Sequence, residues 1–309
     1  MPTDERTGLQ TEELLLLWAA RRTGVLEALL STAGTPDGVA AETDLSEPVA
    51  RRLLAALADL GFFERVGDEY EPTNRALGML AKRDVRSIGT IPHALDAVEE
   101  LIGLPETLET GVPPERRSDW EANALGAHYA TDEAVIRACV TEAVRAAPDA
   151  DSVVDLCGAS GVYAAEFAAR GVDATLVESP SAVELLGRVH GDRVTLHTGT
   201  PASLEATFDI AFLGDALTEL DPAEAEAALA VAVDLLAPEG VLVAVDTFDD
   251  GTGGSATVAT EARALAAGHG GAHATETVRG WLTDAGLSDV RVRSVPGTDR
   301  HAAVGYVGN

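Results

Sequence analysis

Cationic side chains are scarce in this chain, and lysine occurs once, at Lys82. Twenty-two Lys+Arg face 51 Asp+Glu, for a formal net charge of -29. So acidic a surface argues against a nucleic-acid partner, because phosphate contacts from Lys and Arg supply most of that affinity. It suits a salt-rich cytosol instead. At molar ionic strength the Debye length is about 3 Å, which screens the self-repulsion that would loosen such a protein in dilute buffer. Cysteine is also nearly missing: Cys139 and Cys157 are too few and too far apart for a disulfide framework or a zinc knuckle, and a reducing compartment fits. No apolar run reaches about 18 residues, so no membrane span is expected. The acidic start, Met1-Pro2-Thr3-Asp4-Glu5, is unlike a secretory signal. The expectation is a soluble, cytoplasmic protein. Apolar residues make up 46% of the chain, enough for packed cores in two domains.

The first 80 residues read as helices followed by a hairpin. Leu15, Trp18, Ala19, Val25 and Leu29 recur at helical spacing, with Gly24 dividing the run in two. Thr35-Pro36 opens a short helix to Ala41, and Ser46 with Glu47-Pro48 is expected to cap a longer one over 49–60, with Leu53, Leu54 and Leu57 as its buried stripe. After Gly61 come two short strands, 62–66 and 69–73, around Gly67-Asp68. This is the pattern of a winged helix. Its recognition helix would carry only Arg51 and Arg52 as cations, so self-association is a better use for it than DNA. Residues 81–148 read as a helical linker broken at Thr110-Gly111-Val112-Pro113-Pro114. Its cluster of His93, Trp120, Asn123, His128 and Tyr129 is the candidate wall of a small-molecule pocket.

From 149 to 309 strands alternate with helices: 152–156, 174–177, 194–197, 210–213, 241–246 and 290–295, with a last strand at 302–306 that pairs antiparallel with its predecessor. That alternation predicts an α/β domain with a seven-stranded, mostly parallel, Rossmann-like sheet. The first of these strands ends in Asp155 and runs into the small-residue bend Cys157-Gly158-Ala159-Ser160-Gly161; the second ends in Glu178. Such a bend lets backbone N–H groups approach a ligand, and an acid after the next strand can hold a ribose.

These segments, with Trp18-Ala19-Ala20-Arg21-Arg22-Thr23-Gly24-Val25, Arg51-Arg52-Leu53-Leu54-Ala55-Ala56-Leu57, Glu178-Ser179-Pro180, Leu236-Ala237-Pro238-Glu239-Gly240 and Trp281-Leu282-Thr283-Asp284-Ala285-Gly286-Leu287, give a resemblance over nearly the whole chain. The chain resembles class I S-adenosylmethionine-dependent methyltransferases, specifically small-molecule O-methyltransferases with an N-terminal winged-helix dimerisation domain. The resemblance implies a homodimer through the N-terminal domain, S-adenosylmethionine as cofactor, and a small-molecule acceptor held between the domains. It implies that Asp155, Cys157, Gly158 and Gly161 surround the methionine moiety and that Glu178 accepts the ribose hydroxyls. Gly199 and Thr200 would lie by adenine, and Gly214 and Asp215 would face cofactor and acceptor. His93, Trp120, Asn123 and Tyr129 would line the substrate pocket.

Two departures matter. Cys157 and Ala159 stand where the family has glycines, which is harmless provided neither position needs a positive φ. Thr218 stands where plant-type relatives carry a catalytic histidine, and a threonine is no general base near neutral pH. Glu219, Asp215 or His128, or else His93, could supply a base. An acidic acceptor could need none. Catalysis could also be lost, leaving a cofactor-binding or purely structural, regulatory winged-helix dimer. His190, His197, His269, His273 and His301 read as surface or loop residues without metal-ligand spacing, and no metal is expected.

Overall fold

The computed structural model describes residues 9–31, 33–78 and 85–308; Lys82 lies outside them. The chain divides into two compact units, one taking in residues up to Glu99 together with Arg116–Ala130, the other Glu100–Glu115 together with Thr131–Asn309. Residues 81–148, read from sequence as one linker, are thus shared between the units.

The first unit begins with α1 (Thr11–Arg22) and α2 (Val25–Ser31), separated by Gly24 at φ +76°. Next is α3 (Pro36–Glu42), whose Thr35 hydroxyl accepts from the Gly38 amide at 3.1 Å, with Pro36 preset for the first turn. α4 (Glu47–Asp59) follows. Ser46 stands at its N-cap, but its hydroxyl makes no capping bond, contrary to expectation. The antiparallel pair β1 (Phe63–Val66) and β2 (Glu69–Pro72) turns at Gly67, and α5 (Asn74–Gly78), α6 (Val85–Ile88), α7 (Ile91–Thr110) and α8 (Trp120–Tyr129) complete the helices of this part of the chain. The core holds Leu17, Val25, Val39, Leu54, Leu57, Phe62 and Leu95, all at 0% exposure. Leu53 is only partly buried, so the α4 stripe is narrower than the sequence suggests.

The second unit is a seven-stranded sheet covered by helices. After α9 (Glu133–Ala146) come β3 (Ser152–Leu156), α10 (Val162–Ala169), β4 (Asp173–Glu178), α11 (Pro180–His190), β5 (Thr195–Thr198), β6 (Phe208–Gly214), α12 (Pro222–Asp234), β7 (Leu236–Asp246), α13 (Ser255–Ala267), α14 (Thr275–Asp284), β8 (Leu287–Ser294) and β9 (His301–Val307). The strand order is β5-β4-β3-β6-β7-β9-β8, with β9 antiparallel to both of its neighbours and the rest parallel. The central parallel strands β3 and β6 are buried along most of their length and mainly apolar, as in Val153, Val154 and Leu156 around Asp155 or Ile210 to Leu213. The order reverses at β3: β4 and β5 extend to one side and β6 to the other. In such sheets the crevice at the carboxyl ends of the strands beside the reversal is where ligands bind. Among the described residues no helix is long and apolar enough to cross a membrane.

Candidate functional site

The crevice is built by β3, β4 and β6. β3 and β4 run parallel with Leu156 opposite Val177, so the bend at 157–161 and the Glu178 carboxylate finish side by side. Glu178 Oε1 accepts from the Ala159 amide at 2.8 Å and Oε2 from the Ser179 amide at 3.2 Å. Pro180 and the Ser179 hydroxyl, which accepts from Ala182 N at 3.1 Å, start α11 immediately afterwards.

The bend is held tightly from below. Asp155 is wholly buried; its Oδ2 accepts from Ala164 N in α10 at 3.0 Å, while Oδ1 has no hydrogen-bond partner among the described residues. Burial, reinforced by the charges of Glu178 and Asp215, pushes its carboxyl up to about 8. A Cβ on Gly158 would sit 2.4 Å from that carboxyl group, so only glycine fits there. Gly161, at φ +69°, packs where a Cβ would meet Leu176 at 2.8 Å and His190 at 2.9 Å. Cys157 and Ala159 have φ of +56° and +46°. Both positions therefore need the left-handed conformation, and the condition under which their departure from glycine is harmless is not met.

Two histidines read as surface or loop residues are in fact buried. His190, 2% exposed, sends Nε2 to the Ser160 carbonyl at 2.6 Å, and since a carbonyl only accepts, that nitrogen carries the proton. Burial lowers its pKa, keeping the ring neutral while it holds the bend. His273 Nε2 likewise donates to Leu217 O and Leu220 O at 2.9 and 3.0 Å and packs edge-on against Trp281. The other three are more open: His197 contacts Ser203 Oγ at 2.8 Å, His269 bonds Glu219 O at 3.0 Å, and His301 faces Asp250 at 3.5 Å.

The remaining expected cofactor residues differ in what they touch. Gly199, at φ +139°, donates its amide to Glu178 O at 3.1 Å, and the exposed Thr200 gives its carbonyl to Ser203. Gly214 is buried, and a Cβ there would meet the Tyr163 ring at 2.6 Å, so its small size serves packing.

Asp215, a candidate base, is clamped. Arg300 donates Nε to Oδ1 at 2.7 Å and Nη2 to Oδ2 at 3.0 Å, and the Tyr163 hydroxyl donates to Oδ2 at 2.6 Å. A bidentate guanidinium and a phenol take up both of its oxygens, charge-assisted bonds that suit an ionised carboxylate. Burial weighs against the charge of Arg300, but its bonds to Asp215 hold its pKa above the ordinary value. Glu219 is exposed in the short turn Leu217–Glu219.

Asp246, at the carboxyl end of β7, is a residue the sequence reading missed. It is 3% exposed, and Thr218 binds it twice, amide to Oδ2 at 3.0 Å and hydroxyl to Oδ1 at 2.9 Å, with Thr247 N adding 2.7 Å to Oδ1. Burial and the nearby charge of Asp215 push its carboxyl up to about 7. The signal was present: Val241-Leu242-Val243-Ala244-Val245-Asp246 ends an apolar strand in an acid, as β4 does with Glu178 and as β3 does one residue from its end with Asp155.

His93, Trp120, Asn123, His128 and Tyr129 all belong to the first unit. His93 and Trp120 meet edge to face at 5.6 Å, and the Arg116 guanidinium lies 3.9 Å over the Trp120 ring. Asn123 is fully buried and donates Nδ2 to Asp96 Oδ2 at 2.7 Å. His128 and Tyr129 end α8, half-buried.

No family model and no curated protein matches the sequence. Solved structures match over almost its full length. The structure of PigF with SAH matches over 96% of each chain at 18% identity and a TM-score of 0.70. The mitomycin 7-O-methyltransferase MmcR covers 96% of this chain and 94% of its own at 20% identity and 0.64. Human N-acetylserotonin methyltransferase, in complex with SAM, covers 96% and 94% at 18% identity and 0.63. With its seven-stranded Rossmann-like sheet and N-terminal helical unit, the chain has the fold of the class I small-molecule O-methyltransferases.

Proposed function

We propose that this protein transfers the methyl group of S-adenosylmethionine to a hydroxyl of a small organic molecule. The observation that carries the reading is Glu178, held beside the bend at 157–161 at the point where strand order reverses. An ionised carboxylate only accepts hydrogen bonds, which suits a ribose diol, and the Ala159 amide it releases becomes a donor for the ligand. Gly158 makes room for the buried Asp155 carboxyl below the bend, whose Oδ1 has no hydrogen-bond partner among the described residues. These features fit the cofactor, and the similar structures of PigF and N-acetylserotonin methyltransferase hold SAH and SAM. The bound cofactor supplies an electrophilic methyl on a sulfonium.

Proton removal falls to Thr218 and Asp246. Threonine is no base, but its hydroxyl donates to a carboxylate whose proton affinity sits near neutrality. An acceptor hydroxyl bonded to Thr218 Oγ1 passes its proton to that oxygen as Thr218 passes its own to Asp246 Oδ1. Charge and protons balance, and no histidine is needed. Asp215, fixed by Arg300 and Tyr163, shapes the floor rather than taking the proton.

The left-handed Cys157 and Ala159 favour a second reading, a degenerate fold that has lost the cofactor. Calorimetry with S-adenosylmethionine and S-adenosylhomocysteine in 2 M KCl separates the two. Binding of both ligands, weakened at least tenfold by Glu178→Ala, is the expected result; no heat at millimolar ligand leaves the structural reading.

A further inference from the structure

The first unit contains a cavity of about 300 Å³ whose lining includes Asn123, a residue expected from the sequence at an acceptor wall. Leu26, Leu30, Phe62, Phe63 and Leu95 give it apolar walls, and Arg21 and Asn123 line it as well. Arg21 is 9% exposed and Asn123 not at all. Asp96 fixes both: Arg21 Nη1 donates to Oδ1 at 2.6 Å, and Asn123 Nδ2 donates to Oδ2 at 2.7 Å. Because a carboxylate only accepts, the second bond determines which end of the Asn123 amide is which. Its Oδ1 is then left as a buried acceptor without a hydrogen-bond partner among the described residues, and the buried Arg21 Nη2 makes no hydrogen bond there either, its ion-pair contact being Glu99 Oε2 at 3.6 Å. Buried polar atoms nearly always find partners. Here a donor and an acceptor that each lack a hydrogen bond belong to two side chains that line the same apolar chamber.

We infer that this cavity is a binding site for an uncharged, mostly apolar small molecule whose polar head accepts from Arg21 Nη2 and donates to Asn123 Oδ1, as a carboxamide or a hydroxyl does. The charge of the head follows from the surroundings. Arg21 is already met by Asp96 and, at 3.6 Å, by Glu99, and Arg117 by Asp119 at 3.3 Å. Glu27 also lines the wall, so carboxylates outnumber guanidiniums around the chamber. A ligand carboxylate is repelled there, and an ammonium cannot accept from Arg21. The site stands on the first unit alone and does not rest on methyl transfer.

The test is calorimetry in 2 M KCl with benzamide as probe, against benzoate and N,N-dimethylbenzamide, which lacks the N–H. Benzamide is expected to bind in the millimolar range, and the other two at least tenfold more weakly. Ala76→Phe, which fills the chamber and leaves the Arg21, Asp96 and Asn123 cluster intact, is expected to weaken benzamide at least tenfold. Should that variant not fold, Leu30→Phe at the partly exposed edge of the wall serves instead. Absence of benzamide binding at tens of millimolar overturns the inference, as does binding unchanged by chamber filling or equal for benzoate.

Discussion

Cys157 and Ala159 sit in the left-handed region at +56° and +46°, where a Cβ costs about 1 to 2 kcal/mol per residue. Ala159→Gly relieves that strain and gives back part of the gain by loosening the unfolded chain. The expected outcome is a net stabilisation of about 0.5 to 1 kcal/mol in urea unfolding, with unchanged or tighter S-adenosylhomocysteine binding. A loss of stability would mean the left-handed turn is not present in solution. Asp155 gives a second prediction at this scale. Its folded pKa is raised from 3.8 to about 8, so between those values the unfolded chain releases a proton that the folded protein keeps. The folded state binds more protons over that window, and stability falls as pH rises through it. Asp155→Asn stays neutral at every pH and retains an acceptor for Ala164 N. Unfolding free energies at pH 5 and pH 8, taken in high salt to suppress general charge repulsion, should differ less for the variant than for the wild type. Equal slopes would show that Asp155 is ionised in the fold.

The turn after β6 and the end of β7 form the element pair on which proton transfer depends. Thr218 reaches Asp246 through both amide and hydroxyl, so Thr218→Val removes one bond while the backbone bond remains. With a phenolic acceptor of ordinary acidity, Thr218→Val and Asp246→Asn should each lower kcat about 10²- to 10⁴-fold, the usual reach of general base catalysis, with cofactor affinity little changed. The wild-type rate should rise with pH through about 7, the Asp246 value, and Asp246→Asn should abolish that limb. An acidic phenol should narrow the gap, because it needs no base; equal losses on both acceptors would sink the relay. Elements like these were only half legible in the sequence. Asp155 and Glu178 could be placed because each closes an apolar run next to a turn, and pairing of β3 with β4 follows from their order. Asp246 closes such a run too, but its role depends on Thr218, distant in sequence and brought near only by the β6 to β7 pairing. His190 and His273 misled for the same reason: their partners, Ser160 O and Leu217 O, lie 30 and 56 positions away. Ser46 failed differently, since backbone bonds from Val49 and Ala50 to its carbonyl start α4 without its hydroxyl.

Across the whole molecule the dominant quantity is the formal charge of -29. Many of the ion pairs in the structure join exposed side chains at helical spacing, as Arg51 with Glu47 and Arg137 with Glu133 do, and such pairs contribute little each. They do not offset the excess of carboxylates. In dilute buffer, where the Debye length is about 30 Å at 0.01 M, those carboxylates repel one another across the protein; at 1 M the range shrinks to about 3 Å. Compaction then costs less electrostatic free energy, while the buried apolar cores are unaffected or slightly favoured. The melting temperature should therefore climb steeply as KCl rises from 0.05 M towards 1 M and more gently beyond. Replacing KCl with sucrose, which favours burial without screening charge, should recover only part of the gain. A protein equally stable at 0.05 M and 2 M KCl would show that the surface carboxylates are neutralised by something other than mobile ions, and the expectation of a salt-rich surrounding, drawn from the excess of carboxylates, would lose its physical basis.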